Sequence, residues 1–298
     1  MYHYWTVAEV PNDDENVASF VVELKNESKF ILNGCYFTIH KEMFEKYPNS
    51  DYFHIDLYTE CNKKMAEEKI KRAVDILVYI TGIVYEIGNV RQDMNLQLPI
   101  IDINHSKVKL TLINTINSQY ERIRSKRELL ENSLRLYTAA EKYILVLEDV
   151  EEAFFAYFRI LEKIAKSEFG IEGVSIDNGH CEVRIMLQDI IEQKYGIKYP
   201  SNKLDDLSGK YASEIFDTIF SDSYAKIAWF CSKHGIEYDE EILGRAVKLR
   251  NKLAHGDNVI FTFDDAEYEL VSYLAREFIH IKFFSSITKC FIGARIIC

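Results

Sequence analysis

From about residue 130 onward, apolar residues recur at the spacing of one helix face, and this periodicity constrains the fold more than any other feature. Leu134, Tyr137, Ala140 and Ile144, for example, fall on one stripe. With only 4 prolines and 12 glycines among 298 residues, few positions interrupt such helices. The pattern predicts six amphipathic helices with short connections, which is typical of an antiparallel helical bundle. The predicted helices cover residues 133–148, 148–170, 181–196, 212–235 with a kink near Ser221, 239–256 and 264–284.

The first part of the chain has a different pattern. Residues 18–24 and 51–60 alternate apolar with polar side chains and predict β-strands. Residues 64–88 predict a helix, and residues 89–107 show no clear period and predict a linker. We therefore expect a mainly α protein. A smaller α+β domain with a sensing or regulatory role is expected over residues 1–125, followed by a helical bundle over residues 126–298.

Charge and cysteine usage exclude some classes of protein. The net charge of -11 argues against a protein that coats DNA non-specifically, although a local basic cleft is compatible with it. The six cysteines show no CxxC or Cys/His ligand spacing, so we expect reduced thiols and neither a metal nor a cofactor. The first residues do not have the pattern of a signal peptide, and no uncharged apolar run approaches the ~18 residues that a membrane-spanning helix needs. We therefore expect a cytoplasmic protein without a membrane partner.

Chemistry-bearing side chains concentrate at the end of the fifth predicted helix, in the segment LRNKLAHGD over residues 249–257. Arg250 and His255 are five residues apart, which is about 140° on an ideal helix. They are therefore expected to flank a groove rather than to stack, and a frayed last turn would bring them closer.

The same helix carries four cations in eight residues with no acid among them, which makes a plausible anion site in an acidic chain. The alternative is that they only complement the helix dipole. These cations are Arg245, Lys248, Arg250 and Lys252.

The second predicted helix of the bundle carries Arg159 and Glu162, which are three residues apart. An intrahelical ion pair is the default expectation there. The alternative is a supporting role beside the groove at the end of the fifth helix.

The segment LRNKLAHG resembles the R-N-x-x-x-H signature of HEPN domains. The aromatic helix AFFAYFRILEKIAK, residues 153–166, is similar to that of bacterial Apea-like and MauJ-like HEPN proteins. The resemblance covers roughly residues 130–290. It implies a metal-independent endoribonuclease without a cofactor, which acts as a homodimer with two motifs facing each other across one cleft.

The resemblance also implies roles for individual residues. The 2′-hydroxyl of RNA would attack its own phosphate, with His255 as the general acid or base because histidine titrates near neutrality. Arg250 would stabilise the charged transition state, and Asn251 would bind the phosphate or orient His255. The other three cations of the helix, Arg245, Lys248 and Lys252, are candidates for binding the RNA backbone. For the two lysines, the alternative is a solvated surface. The products would carry a 2′,3′-cyclic phosphate and a 5′-hydroxyl.

In bacteria, HEPN proteins often serve phage defence or toxin-antitoxin systems, so the resemblance also implies an antitoxin or defence partner. Two alternatives stay open. The chain could be a non-catalytic HEPN module that binds RNA or dimerises, or a structural subunit that contacts another protein through its apolar tail, residues 278–298.

Overall fold

The computed structural model describes residues 2–10, 29–39, 52–93, 108–172, 185–198, 200–257, 262 and 265–285. The chain divides into two compact units. The first comprises residues 1–160, 261–265 and 272–298, and the second comprises residues 161–260 and 266–271. The predicted domain boundary between residues 125 and 126 stays a prediction.

A small antiparallel sheet lies near the N-terminus, in the first unit, and the rest of the described chain is mostly helical. This confirms the expected mainly α class with a smaller α+β part. The strands are β1 (Tyr2–Glu9), β2 (Lys29–Leu32), β3 (Cys35–Ile39), β4 (Tyr52–Thr59), β5 (Glu86–Ile87) and β6 (Arg91–Asp93). Their order is β2-β3-β4-β1-β5, and β6 also pairs with β1. Strand β4 confirms the prediction over residues 51–60, whereas residues 18–24 lie outside the described residues.

One face of the sheet forms a core. Side chains alternate between buried and partly exposed along β1 and β4, as expected for a sheet with one covered face. Tyr4, Phe37 and Ile55 on the covered face are at most 1% exposed. Helices α1 (Lys63–Thr81) and α2 (Val108–Arg122) pack against the strands. Helix α2 has no counterpart among the predicted elements.

Helix α1 ends earlier than residue 88, where the sequence pattern placed its end. Gly82 adopts a left-handed conformation, with φ of 68°, and its N–H bonds to the carbonyl of Val78. Glycine takes this conformation without steric penalty and so closes the helix. The apolar residues that follow Gly82 belong to the connection and to β5, so the helical prediction over residues 83–88 is wrong.

The later helices are α3 (Arg127–Leu145), α4 (Val150–Glu172), α5 (Ser201–Ser221), α6 (Ser223–His234), α7 (Glu240–Ala254) and α8 (Ala266–Phe284). A short π-helix, Asp189–Lys194, precedes α5. Helices α3, α4, α7 and α8 form where the apolar periodicity predicts them. Among the described residues, no helix is both long and apolar enough to cross a membrane.

The fourth predicted helix, residues 212–235, is two helices rather than one kinked helix. Asp222 leaves the helical conformation, with φ of -72° and ψ of 128°, and its carboxylate accepts a hydrogen bond from the N–H of Tyr224. Aspartate at this position caps a new helix. The expected kink near Ser221 is therefore a break, and α6 starts at Ser223.

Candidate functional site

Helix α7, which carries the predicted site, begins with a well-formed cap in the second unit. The carboxylate of Asp239 accepts hydrogen bonds of 2.9 Å from the N–H groups of Glu241 and Ile242. Acidic residues in the first turn also complement the helix dipole. Leu243 and Ala246 are fully buried and anchor the helix. The local sequence therefore fixes where α7 starts and which side faces the core.

The C-terminal end of α7 is closed rather than frayed. Gly256 has φ of 79°, and its N–H donates to the carbonyl of Leu253 over 3.0 Å. The N–H of Asp257 donates to the carbonyl of Lys252 over 3.1 Å. These two hydrogen bonds and the left-handed glycine make a Schellman motif.

This closed turn determines how Arg250 and His255 are related in one chain. The backbone N–H of His255 still bonds to the carbonyl of Asn251 over 3.1 Å, so His255 continues the helical hydrogen-bond pattern. The idea that a frayed last turn brings the two side chains together is therefore wrong. On an ideal helix the two positions are about 140° apart around the axis, and no hydrogen bond joins their side chains.

Arg250 is held by Glu162 from another helix of the second unit and by Asn251, its neighbour on α7. Its Nη2 lies 2.9 Å from Glu162 Oε1 and 3.1 Å from Glu162 Oε2, on α4. Its Nη1 donates to Asn251 Oδ1 over 3.2 Å. The hydroxyl of Ser223, at the start of α6, donates to Glu162 Oε1 over 2.9 Å. Glu162 thus orients the guanidinium group and is itself oriented by Ser223.

The guanidinium group of Arg250 keeps donors for a ligand. It has five N–H groups, and the contacts to Glu162 and Asn251 involve only Nη1 and Nη2. Its side chain is 31% exposed. The arrangement can therefore hold Arg250 in one orientation while an anion binds the N–H groups of the guanidinium that these contacts leave free.

Glu162 pairs with Arg250 instead of with a partner in its own helix, which is where sequence spacing placed its default ion pair. Ser223 was not among the predicted site residues. It lies 61 positions from Glu162, and no local pattern signals a contact over that distance.

The four cations of α7 are not equivalent. Arg245 forms an ion pair with Glu267 in the first turn of α8. Arg250 pairs with Glu162. Lys248 and Lys252 are exposed and have no acidic partner among the described residues. The structure therefore leaves two of the four charges without a local carboxylate.

His255 is exposed at the end of α7, and its imidazole makes no hydrogen bond or ion pair within the described part of the chain. Asn251 is also exposed and contacts Arg250. In a single chain, the structure brings Arg250 and Asn251 together but does not bring His255 to them.

Two of the three described cysteines, Cys35 and Cys231, are buried. Burial raises the pKa of Cys35 and of Cys231 to about 12, which keeps both thiols protonated at neutral pH. Among the described residues, no group of three or more His, Cys, Asp or Glu side chains could hold a metal ion.

Comparisons of the chain with protein-family models, with curated proteins and with solved structures find no match. The function is therefore inferred from the residues and their geometry. The end of α7 is the candidate site because it combines an oriented arginine, an exposed histidine and two exposed lysines.

Proposed function

We propose that the chain is a metal-independent endoribonuclease with a HEPN-like antiparallel bundle, in which Arg250, Asn251 and His255 are the catalytic residues. The observation that carries the proposal is the oriented guanidinium group of Arg250, five residues before an exposed histidine on the same helix. Both side chains are of the types that RNA cleavage by its own 2′-hydroxyl requires.

Arg250 would bind the phosphate that is cleaved. A planar guanidinium group matches two phosphate oxygens, and its charge stabilises the extra negative charge of the transition state. Because Glu162 and Asn251 already fix the group, little reorganisation is needed when the phosphate arrives. The exposed lysines Lys248 and Lys252 would add attraction for the backbone on either side, and Arg245 would do so less because it pairs with Glu267.

His255 would move the protons. As the 2′-oxygen attacks phosphorus, its proton passes to an imidazole, and as the bond from phosphorus to the 5′-oxygen breaks, that oxygen receives a proton. The products are then a 2′,3′-cyclic phosphate and a 5′-hydroxyl. No oxidant, metal or cofactor enters this balance.

The site would be completed by a second copy of the chain. Positions five residues apart are about 140° apart on an ideal helix, and no hydrogen bond joins the side chains of Arg250 and His255 within one chain, so we do not expect them to converge on one phosphate. In a homodimer whose two α7 ends face each other across one cleft, an arginine and a histidine from different copies would reach the same phosphate. The two copies of His255 would then serve the two proton transfers.

Cleavage in a chelator tests this proposal. Purified protein is incubated with single-stranded RNA in EDTA, and the product ends are analysed for cyclic phosphate. We expect cleavage with cyclic phosphate ends. Products that carry a 3′-hydroxyl, or activity that EDTA abolishes, would contradict the mechanism.

A second candidate is a HEPN-like module that binds RNA or dimerises without cutting. The observations that favour it are the net charge of -11 and the ion pairs that offset the charges of Arg245 and Arg250, since both weaken long-range attraction for RNA. Bound RNA that stays intact at high protein concentration would support this candidate.

A role in phage defence or as a toxin with an antitoxin partner follows from the same proposal. An active ribonuclease would slow the growth of cells that express it alone. Growth arrest that depends on Arg250 and His255 would support this role.

A further inference from the structure

The outward face of the sheet in the first unit is unusually rich in rings. An antiparallel sheet with one buried face ordinarily presents polar side chains on the other. Here that face carries His3, Trp5, Tyr36, His54 and Tyr58, and each is partly exposed. We call these five residues the aromatic face.

Strand register places the centre of the aromatic face in one row. Tyr36 is directly opposite Asp56, Asp56 is opposite Trp5, and Trp5 is opposite Arg91. Directly opposite residues on neighbouring strands share a face of the sheet. The guanidinium carbon of Arg91 lies 4.8 Å from the centre of the Trp5 ring. Four strands therefore contribute to one continuous surface.

The rings of this surface hold one another in fixed orientations. His3 stacks on Tyr58 with ring centres 4.7 Å apart and an angle of 8° between the planes. Trp5 stacks on His54 at 5.4 Å and 20°. Tyr36 meets Tyr58 edge-on at 6.0 Å. Because these side chains are already ordered, a ligand that stacks on them loses little side-chain entropy on binding.

The surface holds two acids, both with hydrogen-bond donors, and cations at its edges. Asp93 on β6 accepts from Trp5 Nε1 over 3.2 Å, and Asp56 accepts from two imidazoles. Nε2 of His3 and of His54 lies 2.8 Å and 3.1 Å from Asp56 Oδ1. An ionised carboxylate only accepts hydrogen bonds, so both imidazoles donate to it. Arg91 on β6 and Lys29 on β2 are exposed on the two outer strands of this arrangement.

We propose that the aromatic face binds unpaired bases of single-stranded RNA, an inference whose choice of ligand rests on the proposed function. Every base has a π-face, so a base of any identity can take the place of the Arg91 guanidinium group on the Trp5 ring, which frees Arg91 to pair with a phosphate. The phosphates of the same strand would run toward Lys29 and Arg91. Duplex RNA would not bind in this way because its bases are stacked inside the helix.

Fluorescence of Trp5 reports binding directly. The full chain contains two tryptophans, Trp5 and Trp229, so the background variant is Trp229→Phe combined with His255→Ala, which leaves RNA uncut. This protein is titrated with a single-stranded RNA of eight nucleotides that carries a terminal dye. We expect Trp5 emission to fall in parallel with the rise in dye anisotropy, and a duplex of the same sequence to leave the emission unchanged.

Substitutions then test which side chains bind. Trp5→Leu keeps an apolar side chain on the strand but removes the ring, and we expect RNA affinity to fall about five- to a hundred-fold, the range for loss of one stacked base. Trp5→Phe keeps a ring and should retain most of the affinity. Tyr195→Ala removes an aromatic ring that is 63% exposed in the second unit and serves as the matched control with unchanged affinity. Thermal unfolding of each variant confirms that it is folded.

The outcomes separate this inference from the proposed function. Cleavage by the wild-type chain with no change in Trp5 emission, or unchanged affinity in folded Trp5→Leu, overturns the aromatic face alone. A Trp5 response without cleavage by the wild-type chain supports the aromatic face and overturns the catalytic proposal.

Discussion

The histidines of the sheet and the histidine at the end of α7 are in opposite situations. His3 and His54 each hydrogen-bond to Asp56 and each stack on a neighbouring ring. The side chain of His255 is exposed, and among the described residues His255 forms hydrogen bonds only through its backbone. The same residue type is thus fixed by partners in the first unit and open to a ligand in the second.

From this difference we can predict whether a substitution changes stability or activity. Side chains that satisfy one another contribute mainly to stability, whereas an exposed side chain without partners contributes little to it. Changes at the sheet should therefore alter the free energy of unfolding, and at the aromatic face also the affinity for RNA, whereas changes at the end of α7 should alter the rate of RNA cleavage. Each of the following predictions can break or sharpen that contrast.

The largest effect is expected at His255. His255→Ala should lower the rate of RNA cleavage about 100- to 10,000-fold because a general acid or base is lost, while the melting temperature stays unchanged. The neighbouring exposed residue Asp257 supplies a matched control, and Asp257→Ala should cleave normally. A His255→Ala protein that retains full activity would show that the motif is not the active site.

Asp75 in α1 should reveal a cost of burial in the first unit. Burial raises its pKa to about 6, against 3.8 for an ordinary aspartate, so folding favours the protonated form. The associated stability is present below pH 3.8 and is lost as pH rises through 6. Asp75→Asn, which mimics the protonated acid, should be more stable than wild type above pH 6, by at most about 3 kcal/mol, and equal to it below pH 3.8. Denaturant unfolding at several pH values measures this, and a deficit at high pH would contradict it.

Glu162 should affect cleavage through Arg250. Glu162→Gln keeps the shape of the side chain but removes the charge that orients the guanidinium group of Arg250. We expect about a tenfold lower kcat. This is less than the loss of about 100- to 1,000-fold for a missing transition-state donor, because Arg250 itself is still present. Stability should change by less than about 1 kcal/mol because the pair is partly exposed. Ser223→Ala should have a smaller effect in the same direction. An unchanged kcat in Glu162→Gln would mean that Arg250 needs no such support.

Asp56 should behave in the opposite way to Asp75. Burial acts to raise its pKa, but hydrogen bonds from His54 and His3 outweigh that effect, so its pKa is lowered from 3.8. The carboxylate therefore stabilises the fold above pH 3.8, and this contribution disappears as pH falls through the lowered pKa. Asp56→Asn should cost about 1 kcal/mol at pH 7 and nothing in strong acid, as measured by unfolding. Its kcat on a dinucleotide should match wild type, and a large loss there would break the contrast.

The exposed lysines should give the smallest effect. Lys248→Ala with Lys252→Ala should raise KM a few-fold at low salt and leave kcat unchanged, because exposed charges act through screened attraction. The effect should vanish in high salt. A salt-independent loss of kcat would place one of these lysines in the chemistry instead.

Local sequence patterns predicted much of the helical part but little of the contact network. Helices α3, α4, α7 and α8 follow from apolar periodicity because each buries one stripe. The early end of α1 and the break at Asp222 depend on single capping residues, which periodicity averages over. Both are visible in the sequence once glycine and aspartate are weighed as caps.

The contacts of Arg250 were beyond such patterns. Arg250 and Glu162 are 88 positions apart, and only packing of α4 against the later helices decides that they meet. The aromatic face has the same origin, since Tyr36, Asp56 and Trp5 share a row only through the register of β3, β4 and β1. Non-local pairing of this kind leaves no local periodic signal.

A structure of the assembled homodimer tests the composite site most directly, through the distance between the two copies of His255. We expect the two imidazoles to face one cleft, each within reach of a phosphate bound to an Arg250 guanidinium group. Two His255 side chains that face solvent on opposite sides of the assembly would contradict the account.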